Sequence, residues 1–259
     1  MLSVKEIKEL QKSAKARRTS GLFTAEGKKM FREAPGGLIA QLCVSESVVN
    51  DPAMAALIRE KLGEEGMKKR LTVLSDSRYE GLSDTRTPQG ILMVLHAGTW
   101  TVEDILTKPS PLVLVLEDLQ DPGNAGTILR TAEAAGVDGV FLTAAAVDIY
   151  NPKTIRSTMG SVYRVPHAVV DDMEALLAAF REKGIVTYAA ALDGSVSYLE
   201  PDYTGGTAFF IGNESRGLSD RLQAACDCPI RIPMKGRIES LNAAMAAGIL
   251  MYEAARKRA

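Results

Sequence analysis

Apolar and polar positions along this 259-residue chain repeat with two different periods, and the changes of period mark the elements. Near the start, Val4, Ile7, Leu10 and Ala14 recur at helical spacing among lysines in SVKEIKELQKSAKARR, which predicts one amphipathic helix. GLFTAEGKKMFREA follows, with a second helix expected after Glu26. QLCVSESVV and LTVLSD are short strand candidates on either side of a helix from about Pro52 to Leu62, and PQGILMVLHA adds a strand after a proline turn. GTWTVEDILTKPSP looks like a connector, because Pro109 and Pro111 discourage regular structure.

A new pattern begins with LVLVLEDL, a continuous apolar run of the kind found in strands buried on both faces. After it come a turn at Asp121-Pro122-Gly123 and the helix AGTILRTAEAAG, with Asn124 as the expected N-cap and Gly136 as its end. The strand VDGVFLT, a helix from about Pro152 to Met159, VYRVPHAVV, the helix DMEALLAAFREKG and the strand IVTYAAAL follow in turn. TAFFIGNE and CPIRIPM are the last strands before an alanine-rich terminal helix. Strands alternating with helices imply an open, mostly parallel α/β sheet. The connector suggests two parts, residues 1–105 and 106–259. Sheets of this kind bind ligands at the carboxyl ends of their strands.

Composition adds little until charge is located along the chain. Hydrophobic residues make up 46% and charged residues 24%, ordinary for a soluble globular protein. No apolar run approaches the roughly 18 residues of a membrane span, and a secretory leader is not evident at the start. The three cysteines include Cys226 and Cys228 around a single Asp, too close for a usual zinc pair. They read as reduced thiols of a cytoplasmic protein with no metal site. The two histidines, His96 and His167, fit structural roles best. Net charge is −1, yet residues 1–33 hold nine Lys/Arg against four Glu. Lys5, Lys12, Arg17 and Arg18 in this segment are candidates for phosphate contacts. A solvated helix face explains the same charges equally well.

Three stretches at predicted strand ends carry unusual polar residues. In DPGNAGTILRTAEAAG, capping accounts for Asn124 but leaves Arg130 unexplained. In FFIGNESRGLSD, a buried strand ends at Gly212-Asn213-Glu214, and Gly217 opens another turn; Glu214 could cap a helix, bind a sugar or meet Arg130. In IPMKGRIESLNAAMAAG, Ile232, Met234 and Leu241 offer an apolar wall with Ser240 and Asn242 at its rim. The G-x-G-x-x-G fingerprint of dinucleotide-binding dehydrogenases is absent.

These three stretches, in this order, resemble the three motifs of the SpoU/TrmH-type RNA 2′-O-ribose methyltransferases of the SPOUT superfamily. NPKTIRSTMGSVYRVP is similar to the family segment between the first two motifs. GLFTAEGKKMFREA and TPQGILMVL resemble, more loosely, the small substrate-binding domain often fused in front. The resemblance implies a parallel α/β sheet with a C-terminal trefoil knot, preceded by a small α/β RNA-binding domain, in a homodimer that uses S-adenosyl-L-methionine and no metal. By the same resemblance Asn124, Arg130, Glu214, Ser240 and Asn242 are the catalytic set, with Glu214 locking Arg130. Ala191, Leu192, Gly212, Asn213, Gly217, Ile232, Met234 and Leu241 would hold the cofactor. The expected substrate is RNA, with ribosomal RNA favoured over tRNA. A non-catalytic RNA-binding or ribosome-assembly protein is the alternative.

Overall fold

The computed structural model describes residues 1–191 and 196–259. In chain order its first elements are α1 (Val4–Lys12), α2 (Ala14–Ser20), β1 (Leu22–Glu26), α3 (Lys28–Glu33), β2 (Ile39–Ser45), α4 (Glu46–Val49), α5 (Pro52–Arg70), β3 (Leu71–Leu74), α6 (Asp76–Leu82) and β4 (Ile91–His96). Then come α7 (Val102–Ile105), β5 (Leu112–Leu116), α8 (Pro122–Ala135), β6 (Gly139–Thr143), α9 (Pro152–Thr158), β7 (His167–Val170), α10 (Met173–Glu182) and β8 (Val186–Ala190). The last are β9 (Val196–Ser197), β10 (Thr207–Ile211), α11 (Asp220–Ala225), β11 (Cys228–Arg231) and α12 (Ala243–Arg258). They form two compact units, residues 1–98 with 148–163, and residues 99–147 with 164–259. The segment 148–163, which carries α9, thus belongs with the first unit, although it follows β6 in sequence.

The first unit holds a four-stranded sheet in the order β1-β4-β2-β3, in which β2 and β3 are parallel and β4 runs antiparallel to β1 and β2. The single amphipathic helix expected at the start is two helices. Ser13 adopts extended backbone (φ −110°, ψ 112°), ends α1, and caps α2 by accepting a bond from the Ala16 N–H. Its hydroxyl competes for backbone N–H groups, and that breaks the helical run. β1 was not expected. It is short, but Phe23 and Ala25 are buried and it pairs with the whole of β4. Helix α5 extends past Leu62 to Arg70, with a break at Gly63 (φ 65°, ψ 170°) that only glycine accommodates without strain.

Arg17 departs from the expectation of a phosphate contact. Its side chain is 4% exposed and its Nε donates to Asp148 Oδ2 at 2.7 Å, while Nη1 donates to the Leu10 carbonyl at 2.6 Å. It ties the 148–163 segment to α1 and is not available to RNA. Lys5, Lys12 and Arg18 are exposed, as are Lys8 and Lys15.

The second unit holds a seven-stranded sheet, ordered β7-β6-β5-β10-β8-β11-β9, with every pair parallel. LVLVL and TAFFI lie side by side near its middle, with all ten residues buried. Phe180 of α10 meets Phe141 of β6 and Phe210 of β10 edge to face, a favoured aromatic geometry. The expected connector contains the short helix α7, closed by a reciprocal capping box between Thr101 and Asp104.

Candidate active site

The parallel strands β8, β10 and β11 end on one side of the sheet, and the chain beyond each end contributes a wall of one cavity of about 290 Å³. That volume sits near the lower end of small-molecule sites, about 300–1,000 Å³. Ala190 and Ala191 follow β8, Gly212 and the 213–217 loop follow β10, and Ile232, Met234, Ser240 and Leu241 follow β11. Ile211, Leu218, Ile230, Ala243, Ala246 and Leu250 complete the apolar lining.

Gly212 is required by space. Its own φ is not in the left-handed region, but a Cβ there would stand 2.0 Å from the Leu218 nitrogen and 2.1 Å from the Gly217 carbonyl carbon. The loop folds back this closely because Asn213 and Gly217 exchange backbone bonds at 3.0 and 2.9 Å. Gly217 turns with φ +69°. The Asn213 side chain fastens the loop: Oδ1 accepts from the Ser215 and Arg216 N–H groups, and Nδ2 donates to the Asp118 carbonyl at 2.8 Å.

Glu214 projects from the same loop. It accepts from the backbone N–H of Asp121 at 2.9 Å, from that of Gln120 at 3.1 Å and from Asn124 Nδ2 at 3.0 Å. Burial pushes its pKa up, but the bonds from Asn124, Asp121 and Gln120 outweigh burial and hold the carboxyl below its ordinary range. Asn124 Oδ1 in turn accepts from Asn242 Nδ2 at 2.9 Å. Asn242 caps α12, its Oδ1 accepting from the N–H groups of Ala244 and Met245. One polar chain therefore links all three motifs: Asn242, Asn124, Glu214 and the 120–121 backbone.

Two expectations change at this point. Asn124 is not the N-cap of α8. Asp121 is, its Oδ1 accepting from the Asn124 N–H at 2.7 Å, because Pro122 fits the first helical position and shifts the helix start upstream. The Asn124 side chain is thereby free to join Glu214 to Asn242. Glu214 does not lock Arg130, since its carboxylate is engaged by Asn124 and the 120–121 backbone. Arg130 is exposed on α8 and is not among the residues that line the cavity, and among the described residues it has no ion pair or hydrogen-bond partner.

Of the other expected site residues, Ala191, Gly212, Asn213, Glu214, Gly217, Ile232, Met234, Ser240 and Leu241 line the cavity. Leu192 lies outside the described residues. Arg216 and Glu239 also line it and were not expected; the only sequence signal for Arg216 was its place between Glu214 and Gly217. The structure argues against chemistry at Cys226, whose thiol burial pushes up to about 12. Among the described residues no group of three His, Cys, Asp or Glu side chains could hold a metal ion, and no helix is long and apolar enough to cross a membrane.

The lining of the cavity suits S-adenosyl-L-methionine chemically: Ile232, Met234 and Leu241 form an apolar wall for an adenine, and Ser240 and Glu239 stand at its rim as polar groups.

Comparison with known proteins points to one family. The profile of the SpoU rRNA Methylase family matches residues 111–252, and that of the MRM3-like substrate binding domain matches residues 2–93. The chain is 34% identical over 249 residues to the 23S rRNA (guanosine(2553)-2′-O)-methyltransferase RlmP of Bacillus subtilis strain 168, covering 96% of this chain and 94% of that protein. Among solved structures it is similar to an AdoMet-bound rRNA methyltransferase from Sinorhizobium meliloti, with 31% identity and a TM-score of 0.86 over 98% of this chain and 94% of the other. The SpoU methyltransferase AviRb from Streptomyces viridochromogenes, in complex with AdoMet, aligns with a TM-score of 0.88 and 27% identity over 98% and 97% of the two chains.

Proposed function

The chain belongs to the SpoU rRNA Methylase family, and on that premise we propose that it methylates a ribose 2′-hydroxyl of 23S ribosomal RNA, using S-adenosyl-L-methionine. The observation that carries this reading is the cavity at the carboxyl ends of β8, β10 and β11, with the Asn242–Asn124–Glu214 chain at its edge. When bound, the cofactor supplies an electrophilic methyl group on a sulfonium, and its leaving group is neutral, so no acid is needed there.

The protein's own residues then have separable tasks. Gly212 lets the loop backbone pack tightly, and Ile232, Met234 and Leu241 cover the adenine face and exclude water. The Asn242–Asn124–Glu214 chain fixes the start of α8 relative to the start of α12, so that Asn124 and Ser240 can orient the ribose. Arg130 presents a planar guanidinium fork of five N–H donors. It is suited to hold an RNA phosphate and to stabilise negative charge developing on the 2′-oxygen, whose proton leaves to solvent. Its exposure, and the lack of a partner for it among the described residues, support that role. Positioning of this kind can supply several kcal/mol of the barrier reduction.

The 106–259 part would perform the chemistry and the 1–105 part would hold RNA, with the exposed Lys5, Lys12 and Arg18 as phosphate contacts. The trefoil knot is supported by family membership. A homodimer is supported by Met245 and Tyr252, 60% and 53% exposed and seven residues apart on one face of α12. A cytoplasmic location is the one that this proposed substrate supports.

The test is methyl transfer from radiolabelled cofactor by the full chain. Label should enter deproteinised 23S RNA at a rate well above that for tRNA. Incorporation into neither RNA, by a protein that binds the cofactor, would favour the non-catalytic assembly role.

A further inference from the structure

The first unit has a cleft of its own, about 540 Å³ in volume, that none of the three motifs touches. It lies where the parallel strands β2 and β3 end: Ser45 closes β2, Asp76 follows β3, Lys28 follows β1, and Pro88-Gln89-Gly90 leads into β4. Four strand ends thus converge on it, at the carboxyl side of the sheet's one parallel pair, the usual place for a ligand in such sheets.

Two of its polar groups, Asp76 and Gln89, are each held through one side-chain oxygen. Asp76 Oδ1 accepts from the Ser47 N–H at 3.2 Å and from the Ser47 hydroxyl at 2.9 Å, and Ser47 meets the buried Ser45 hydroxyl at 2.9 Å. Asp76 Oδ2 remains to accept. Bonds from the Ser47 backbone and side chain hold the carboxyl below its ordinary range, so it is ionised at neutral pH. Gln89 Oε1 accepts from the Lys28 N–H at 2.8 Å, which orients the amide and leaves Nε2 to donate. Pro88 supplies an apolar plate.

The acids Asp76 and Glu80 on the wall disfavour a phosphate inside the cleft. Lys28 at its edge and the exposed Lys29 and Arg86 nearby in sequence are placed for backbone charge outside it. A cleft that holds an acceptor, a donor and an apolar plate in its wall is the complement of a splayed-out base, the usual target of sequence-specific RNA recognition. Guanine alone presents two adjacent donors, N1–H and N2–H₂, beside the acceptor O6. Adenine, cytosine and uracil each place an acceptor where this arrangement needs a donor.

We propose that this cleft reads an unpaired guanine of the RNA substrate, with Asp76 Oδ2 accepting from N1–H and N2–H₂ and Gln89 Nε2 donating to O6. The proposal rests on the first unit's being the RNA-binding one.

The test uses the full chain and fluorescently labelled single-stranded pentanucleotides, A-A-X-A-A with X guanine, inosine or adenine, at one fixed salt concentration. Wild type should prefer guanine over adenine by about tenfold, the scale of one well-placed base contact, with inosine between them. Asp76→Asn keeps the acceptor for Ser47 but turns the free oxygen into a donor, and should abolish the preference. Gln89→Glu keeps the acceptor for the Lys28 N–H and removes the donor, and should do the same if the first variant folds poorly. Both variants should raise KM for 23S RNA while leaving kcat and cofactor affinity near wild type. Equal binding of all three oligonucleotides by wild type, or an unchanged guanine preference in both variants, overturns the proposal. Pentanucleotide binding needs no turnover, so failure to methylate any RNA would count against the proposed function and leave this readout intact.

Discussion

Replacing Gly212 by alanine is the sharpest perturbation the cofactor cavity offers, because it adds one methyl group and nothing else. The new Cβ would lie 2.0 Å from the Leu218 nitrogen, 2.1 Å from the Gly217 carbonyl carbon and 2.3 Å from its oxygen. All three neighbours are backbone, so no side chain can swing aside. Ordinary contact needs more than 3.0 Å, and the 213–217 loop must therefore move by about an ångström or more. The loop is held by the two Asn213–Gly217 backbone bonds and three bonds from the Asn213 side chain. Losing two or three of these, at about 0.5–1.5 kcal/mol each, costs about 1–4.5 kcal/mol. If that cost falls on the binding-competent loop, cofactor affinity drops by roughly fivefold to 2,000-fold. Calorimetric titration with S-adenosyl-L-methionine measures this, beside Gly205→Ala, where a Cβ meets nothing within 4 Å. Affinity within twofold of wild type in a folded Gly212→Ala protein would refute the placement of the cofactor against this loop.

Other outcomes are expected from the same geometry. Leu241→Asp puts a carboxylate in the apolar wall and should weaken cofactor binding by several kcal/mol; calorimetry showing unchanged affinity would contradict that wall. Arg17→Ala removes one partner of a buried, hydrogen-bonded pair and should destabilise the first unit by about 3–5 kcal/mol in urea unfolding, whereas Arg18→Ala should leave stability alone and flatten the salt dependence of RNA binding by about 0.7 of a log unit. The folded-state pKa of Glu214 lies below its ordinary value of 4.5, so its stabilising contribution is complete above that value and is lost as pH falls through the lowered one. The melting-temperature gap between wild type and Glu214→Gln should accordingly narrow as the pH falls below 4.5; a gap that widens on acidification would contradict the hydrogen-bond assignment.

Much of this was legible in the sequence, for reasons that can be named. LVLVL and TAFFI announce buried parallel strands because both faces of each are covered, and the walls of the cavity follow from where such strands end. Asn124 was misplaced because a residue two positions after Pro122 looks like a cap until the proline is recognised as the first helical residue. The pairing of Asn124 with Glu214 and Asn242 spans 90 and 118 residues, beyond any local pattern. Arg17 could not be separated from its exposed neighbours by charge alone, since its partner Asp148 is 131 residues away. The same separation hid the membership of 148–163 in the first unit.

Methyl delivery to a ribose 2′-oxygen under the control of Arg130, as proposed, can be read out by incubating the full chain with labelled S-adenosyl-L-methionine and 23S RNA and then hydrolysing the RNA in alkali, which leaves 2′-O-methylated linkages uncut. Label should be recovered in alkali-resistant dinucleotides from a single site. Arg130→Ala and Arg130→Lys should both lose nearly all of it while binding cofactor as wild type does, because an ammonium cannot reproduce the planar guanidinium fork. Label recovered in mononucleotides would place the methyl on a base, and full transfer by Arg130→Ala would remove Arg130 from the reaction; either result contradicts the account.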